Sequence, residues 1–351
     1  MRSAGPECPT RAAIWQNVSC AVLLAISAGL SGCYYTHVAM GQSRLLRARK
    51  PIETVLADPA TPPEIREGLL LVLQVREFAI ELGLDVRGQY TSFVEWPGDR
   101  VVTSVVATRP GTVTPAGFHF LLLGRLPYKG FFDRERANRE SEALRADGLN
   151  VCEFGVSAYS TLGWMDDPIT GPMLRQEPGQ LVEVILHELV HATVYLRGHA
   201  DFNESIASFI GEEGRVLFYQ NSDRPERAHR QRLEIEDARR VHAALLRFRD
   251  EVSALYASQG NGTRRDEMRR DLEERARKRI RNLPLETRDP NQLAAVLRMN
   301  DACLALTGTY AAELERYAEL FSRLDGDLVA LIARLKGVGD SKNPLEALLA
   351  D

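Results

Sequence analysis

Apolar residues recur along this chain with two periods, three-to-four over most of its length and two in one stretch nearer the amino terminus. Segments 36–52 (THVAMGQSRLLRARKPI) and 61–84 (TPPEIREGLLLVLQVREFAIELGL) carry helical spacing with a proline-rich break between them, which predicts two helices. Between 93 and 133 the period shortens, and FVEW, VVTSVVATR and FHFLLLGRLPYKGFFD read as strands, the last running into a turn. RERANRESEALRADGL at 134–149 has the spacing of an amphipathic surface helix. NVCEFGVSAYSTLGW reads as a last strand entering a loop, closed by MDDPITGPML with its two prolines. LVEVILHELVHATVYL at 181–196 is apolar nearly throughout and marks a buried helix.

Beyond residue 215 the pattern changes again. The segments at 225–258 and 264–283 are dense in both charge signs with apolar residues at helical intervals, and 291–324 adds a more apolar helix or pair. Because Asp and Glu are interleaved with Arg throughout, these charges read as solvated helical faces rather than as a basic arm for nucleic acid. The whole predicts an α+β fold, mostly helical, with a small mixed sheet before the 181–196 helix and a helical C-terminal region. By number, 33–86 forms an N-terminal anchor and helices, 87–215 a catalytic region, and 216–351 helices packed on it.

The chemistry concentrates in the apolar helix. The chain has only seven histidines, yet residues 187–191 read HELVH. Side chains four apart on a helix lie one above the other, so His187 and His191 can offer ring nitrogens to one tetrahedral Zn2+. Glu188 then stands beside the metal, placed to take a proton from a polarised water and hand it to a leaving amine. Unpaired ionisable groups among Leu, Ile and Val would be costly without such compensation. A third ligand is expected in RGHADFNESIASFIGEEG. Here the helix should stop at Gly198, and Asn203 has the character of an N-cap for a second helix. Glu204 in its first turn would complete a His2Glu set with an open fourth position, the catalytic rather than the structural arrangement.

Composition changes the picture only at the amino terminus. With 44% hydrophobic and 26% charged residues and a net charge of −4, the body is that of an ordinary globular chain. Ahead of it, VSCAVLLAISAGLSGC is too short for a comfortable membrane span, which needs about 20 apolar residues. Small residues directly before Cys33, with Arg2 and Arg11 upstream, resemble a bacterial lipoprotein signal over 1–32. That resemblance implies lipidation of Cys33 and a membrane tether without a transmembrane helix. Tyr34 after the cysteine, where an aspartate would argue for inner-membrane retention, favours an outer-membrane, periplasm-facing location. Cys8 and Cys20 would leave with the signal, so Cys152 and Cys303 remain, either as one disulfide or as two buried thiols.

HELVH followed by NESIASFIG resembles the zincin metallopeptidases whose third ligand is a glutamate in an Asn-Glu-led helix, which implies Glu204. Twelve residues separate His191 from Glu204, fewer than in thermolysin-like enzymes, and Glu212 and Glu213 near the longer spacing are the competing ligands. Ser208 stands where those enzymes carry an acid that orients a zinc histidine, a task Asp201 could take over. Taken with YYTHVAMGQSRLLRARKPI, GFFD, AYSTLGWMDDPI and the late NDA segment, the sequence is similar over nearly all its mature length to a family of bacterial lipoproteins labelled as aminopeptidases. The resemblance implies a zinc aminopeptidase acting on peptides. The G-x-M-E-N motif that holds the substrate's α-ammonium in the large zinc aminopeptidases is only echoed by GPMLR, leaving Glu153, Asp166, Asp167, Glu212 and Glu213 as candidates for that task. Tyr159 is the first candidate for donating to the developing oxyanion and His199 the second, while His119 among Phe118 and Phe120 reads as structural. The other readings are a zinc endopeptidase and a non-catalytic zinc-binding envelope lipoprotein serving as a scaffold or partner-binding protein.

Overall fold

The computed structural model describes residues 34–120, 124–161, 164–222, 225–260, 262–311, 313–339 and 341–350. Residues 1–32, read above as a signal, and Cys33 lie outside the described residues. The chain divides into two compact units, one ending at Ala48 and the other comprising Arg49–Asp351. Within the first, residues 34–47 form helix α1. No helix among the described residues is long and apolar enough to cross a membrane.

The second unit opens with a short strand β1 (Lys50–Pro51), a one-and-a-half-turn helix α2 (Ile52–Ala57) and α3 (Pro63–Glu81). Pro63 at the first position of α3 is pre-set for the helical φ and lacks an N–H that would have gone unused. Strands β2 (Ser92–Val94), β3 (Val102–Thr108), β4 (Phe118–Phe120), β5 (Gly124–Leu126) and β6 (Tyr128–Phe131) follow, then α4 (Arg134–Ala146) and β7 (Asn150–Val156). The stretch that reads as one strand at 118–133 is thus three elements. Gly124 with φ +78 and Pro127 interrupt the run, and β4 and β5 form a hairpin of their own. His119 lies exposed on β4 rather than in a core. Strand β3 is buried along its length and is flanked on both sides by antiparallel partners, in the order β6-β3-β7, with Val105 opposite Lys129 and Glu153. Asp133 caps α4 by accepting from the Arg136 N–H.

Strand β8 (Ile169–Thr170) pairs parallel with β2, completing a second three-stranded sheet in the order β1-β2-β8, and the short α5 (Gly171–Leu174) follows at once. The metal-motif helix α6 (Pro178–Thr193) and α7 (Ala200–Gln220) come next. Then follow α8 (Pro225–Ser258), α9 (Thr263–Arg281), α10 (Pro290–Val296), α11 (Asp301–Ala311), α12 (Leu314–Arg323), α13 (Leu328–Gly337) and α14 (Pro344–Leu349). The fold is therefore mostly helical with small sheets.

One core joins α3, α6, α7 and the last helices. Val72 and Val75 of α3, Leu181, Ile185 and Leu189 of α6, and Leu331 of α13 share this cluster with Phe209 of α7, whose ring stands 5.9 Å from that of Tyr317. A second core lies between α8, α9 and α10 around Phe248, Val252, Leu272 and Ile280. The charged helices behave as their pattern predicts, burying one apolar stripe and lacing the outer faces with pairs such as Arg230–Glu234, Arg247–Glu251 and Arg277–Glu273. One acid does something else. Asp237 is fully buried and accepts from the backbone N–H groups of Glu286 and Thr287 and from the Thr287 hydroxyl, pinning the α9–α10 connection to α8.

Cys152 on β7 and Cys303 on α11 are joined in a disulfide, which resolves the alternative left open by the sequence. Val106 and Ala302 pack around it. The bridge closes a loop with a sequence separation of 151 residues, so its removal releases a large amount of chain entropy to the unfolded state. We expect the double variant Cys152→Ser/Cys303→Ser to lose about 2–5 kcal/mol of stability. Denaturant titration of the oxidised and double-variant proteins measures it, and equal midpoints would show the bridge to be without effect.

Candidate metal centre

Helix α6 begins with Pro178 at its first position and buries Leu181, Val182, Ile185, Leu186, Leu189 and Val190. That stripe fixes the rotation of the helix and leaves His187, Glu188 and His191 on the remaining side. The helix ends at Thr193, short of the expected stop at Gly198. Val194 is already extended with φ −142, and the β-branched pair Thr193-Val194 opens a loop in which Gly198 takes φ +85. The second helix starts correspondingly early, at Ala200, with His199 in the capping position. Asn203 is therefore inside the helix rather than its cap. Its side chain turns back to satisfy both backbone groups of Leu196, accepting from the N–H at 3.0 Å and donating to the carbonyl at 2.8 Å. This clamp holds the loop between the two helices closed, and it puts Glu204 in the second turn of α7 rather than in the first.

The two helices approach each other closely because α7 carries glycine at the crossing. A Cβ on Gly211 would stand 2.9 Å from the Glu183 carbonyl oxygen and 3.5 Å from the His187 Cβ, and one on Gly214 would stand 2.6 Å from Leu186 Cδ1. With the crossing this tight, Glu204 reaches the histidines. Its Oε2 lies 3.4 Å from His187 Nε2 and 3.6 Å from His191 Nε2, and the two Nε2 atoms are 3.1 Å apart. A tetrahedron with ligand bonds of about 2.0–2.1 Å has edges of about 3.3 Å, so the three atoms fit three corners around one ion. Among the described residues these three form the cluster able to hold a metal. Glu204 Oε1 accepts a hydrogen bond at 3.2 Å from the Tyr128 hydroxyl on β6, which leaves Oε2 for the histidines.

The electrostatics suit a cation. Burial alone would push the Glu204 carboxyl up, but His191 and His187 override it and hold the group well below the usual carboxylate range. Desolvation opposes charge on His187, yet Glu204, Glu188 and Glu183 together raise its pKa, which means that the surroundings of its ring favour positive charge. Three atoms that all offer lone pairs would repel at these separations without a proton or a metal between them.

Glu188 makes no hydrogen bond or ion pair among the described residues, and its charge acts on Tyr90 and Asp167. Tyr159 packs its ring 4.8 Å from that of Phe132, and burial followed by the Asp167 charge pushes its hydroxyl up to about 12. It is therefore protonated at neutral pH and able to donate. His199, with Arg125, Asp201, Phe202 and Arg249, lines a cavity of about 430 Å3 beside the start of α7. Asp201 is exposed and bonds neither histidine, so it does not orient them. The Nδ1 of His191 is buried with no partner among the described residues.

The competing acids are engaged elsewhere. Glu212 pairs with Arg239 at 2.8 Å, and Glu213 with Arg232 at 2.6 Å and Arg239 at 2.8 Å. Glu153 pairs with Arg145 on the far side of the β3 sheet, and Asp166 is exposed. The sequence did not point to Tyr128, which lies 76 positions from Glu204 and is brought to it by the β6-β3-β7 sheet. Nor did it show Tyr195, whose ring stands 6.0 Å from that of His191.

Residues 33–347 match the sequence model of the family described as Aminopep, Putative aminopeptidase. No curated protein and no solved structure matches the chain.

Three outcomes follow from this geometry. Glu204→Gln should lose stoichiometric metal binding, read by metal content after dialysis. Gly211→Ala should cost about 1–3 kcal/mol of stability through overpacking and weaken metal binding as well, whereas a mutation that only loosened the fold would leave metal affinity unchanged in the folded fraction. The third concerns Asp167, whose carboxyl is pushed by burial up to about 7. The unfolded chain releases that proton near the ordinary value of about 4, so between the two values the folded state binds more protons and stability falls as pH rises. Asp167→Asn should flatten that fall, measured as a smaller difference between urea midpoints at pH 5 and pH 8.

Proposed function

The chain belongs to the Putative aminopeptidase family, and from that premise we propose that it is a zinc-dependent aminopeptidase with Glu188 as its general base. The observation that carries the proposal is the convergence of His187, His191 and Glu204 on one point, with Glu188 next in sequence to His187 and without a hydrogen bond or ion pair among the described residues. A zinc ion held there would supply Lewis-acid polarisation of the scissile carbonyl and lower the pKa of water to about 7. Glu188 accepts the proton of the attacking water and passes it to the nitrogen of the leaving amine. Tyr159, kept protonated by its burial, donates to the oxyanion that develops on the carbonyl. Tyr128 steadies the outer oxygen of Glu204, and the Asn203 clamp keeps the chain between the two ligand-bearing helices from opening.

A sheet, then the His-Glu motif helix, then the glutamate helix is the order of a zincin-like catalytic unit, and the element order here supports assigning one. Lipidation at Cys33 would hold this unit at the cell envelope facing the periplasm, and the Cys152–Cys303 disulfide is in keeping with an oxidising compartment. A zinc-binding scaffold would need the ligands and the packing but no unpaired carboxylate beside them, and Glu188 therefore favours catalysis.

The test compares the intact protein with Glu188→Gln on peptides with free and with blocked amino termini. We expect both proteins to bind one zinc ion, the intact protein to release amino-terminal residues from the free peptides, and the variant to be slower by about 10²–10⁴-fold. Zinc binding by both with no cleavage by either would overturn the proposal in favour of a scaffold.

A further inference from the structure

The cavity beside the start of α7 holds donors that the metal centre does not use. Arg249 of α8, Thr309 of α11 and Arg125 of β5 all line it. A Cβ on Gly308 would stand 2.7 Å from the Arg249 Cζ and 2.9 Å from its Nη1, so the guanidinium lies in space that a glycine on α11 leaves open. Its Nε is buried without a partner, and neither Nη group takes part in a hydrogen bond or ion pair among the described residues. The Nη groups are therefore what Arg249 offers to the cavity. Thr309 is 2% exposed, and its hydroxyl likewise makes no hydrogen bond among the described residues. Arg125 donates to the Ala116 carbonyl at 2.5 Å and pairs with no acid. Buried donors are costly when no acceptor meets them.

The backbone adds to this set. Helix α7 has no side-chain cap, and its first intrahelical bond runs from the Asn203 N–H to the His199 carbonyl at 3.0 Å. The N–H groups of Ala200, Asp201 and Phe202, all in the cavity wall, lie ahead of that bond at the positive end of a 21-residue helix. The acid in the lining is Asp201, which is exposed and pairs with neither arginine. Two guanidinium charges less one carboxylate leave a net charge of about +1, which matches a monoanion better than a phosphate dianion. A planar guanidinium with both Nη groups open fits a carboxylate in particular.

Two walls of the cavity also border the metal centre. Ala200 precedes Glu204 by four residues on the same face of α7, about 6 Å along its axis. Pro127 adjoins Tyr128, whose hydroxyl bonds Glu204 Oε1. We propose that the cavity receives the α-carboxylate of a short peptide, with Arg249 as its main receptor and Thr309 and the open end of α7 as further donors. The inference rests on the peptidase reading above and deepens it. An extended chain covers about 3.3–3.6 Å per residue, so a carboxylate receptor in a cavity that begins one helical turn from Glu204 selects peptides of a few residues over long chains. Leu126, Pro115 and Ala305 give the terminal side chain an apolar wall.

The test uses the zinc-loaded full chain carrying Glu188→Gln, which holds peptides without cutting them. Alanine peptides of two to five residues, each as the free acid and as the amide, are titrated calorimetrically, with acetate and inorganic phosphate as separate titrants. We expect the acid of at least one length to bind at least about tenfold more tightly than its amide, and neither small anion to match it. Adding Arg249→Met should bring that ratio down to within about twofold. Melting temperature verifies that the variant is folded; should it not fold, Arg249→Gln takes its place, and failing both the acid–amide comparison decides. Equal binding of acids and amides at every length, or a preference that survives loss of the guanidinium, would overturn the carboxylate site and leave the peptidase reading standing. Acetate or phosphate bound as tightly as the best peptide acid would overturn the assignment to a peptide. Should no peptide bind, cleavage of the same peptides by the unmodified chain separates the two ideas. Faster cleavage of the acids would support the site, equal cleavage of acids and amides would overturn the site alone, and no cleavage would overturn the peptidase reading with it.

Discussion

The site depends on how closely α7 can lie against α6. Backbone-to-backbone approach of two helices is set by the side chains at the crossing, and here Gly211 and Gly214 remove them. The separation of Glu204 from the two histidines follows from that approach, because the three ligands sit on rigid helices rather than on loops. Gly211 lies under the Glu183 carbonyl and against the Cβ of His187, so the same contact that closes the helix pair also fixes His187. A glycine in a helix interior costs about 1 kcal/mol relative to alanine, a cost the chain bears twice within four residues.

Charge is distributed around this crossing in a graded way. Toward the carboxyl end of α7 the buried acids are neutralised by arginines from α8, with Arg239 bridging Glu212 and Glu213 and stacking its guanidinium 5.1 Å from the Phe209 ring centre. Arg215 within α7 does the same for Glu183 on α6. Toward the amino end of α7 no arginine or lysine pairs with Glu204. Its partners are two imidazoles and a phenol. Arginines thus neutralise Glu183, Glu212 and Glu213, and none reaches the point where the histidines converge. Had a guanidinium reached Glu204 as it reaches Glu213, the trio would be a salt bridge and not a place for a metal.

The sequence made the parts of this arrangement that depend on local spacing legible. His187, Glu188 and His191 are set by a helical repeat, and the apolar residues between them announce a buried helix. Glu204 was legible by its proximity in sequence and by likeness to known metallopeptidases. What was not legible depends on long-range approach or on competition between local signals. Asn203 looks like a helix cap by type, but the open backbone groups of Leu196 recruit its amide and the helix starts earlier. Glu212 and Glu213 looked like alternative ligands because the arginines that claim them lie some twenty to thirty positions away. Tyr128 carries no motif at all, and Asp167 stood out from the sequence only as one of several candidate acids. Only the folded sheet and the meeting of the 89–90 turn with the 161–167 segment give them neighbours.

The disulfide has a consequence for what a single backbone cut can do to this chain. Cys152 and Cys303 close a covalent ring that takes in α6 through α10, and therefore every residue of the metal trio. A single backbone cut within the exposed connections after α8 or α9 opens the ring to a linear chain but leaves both fragments attached through sulfur. The helices beyond the cut, α11 to α14 among them, stay tethered to the fragment that carries the trio, so the core to which Tyr317 and Leu331 contribute loses no partner to diffusion. Nicked molecules would run as two bands only after reduction, and their folded lifetime would be set by the helix packing rather than by the integrity of the main chain.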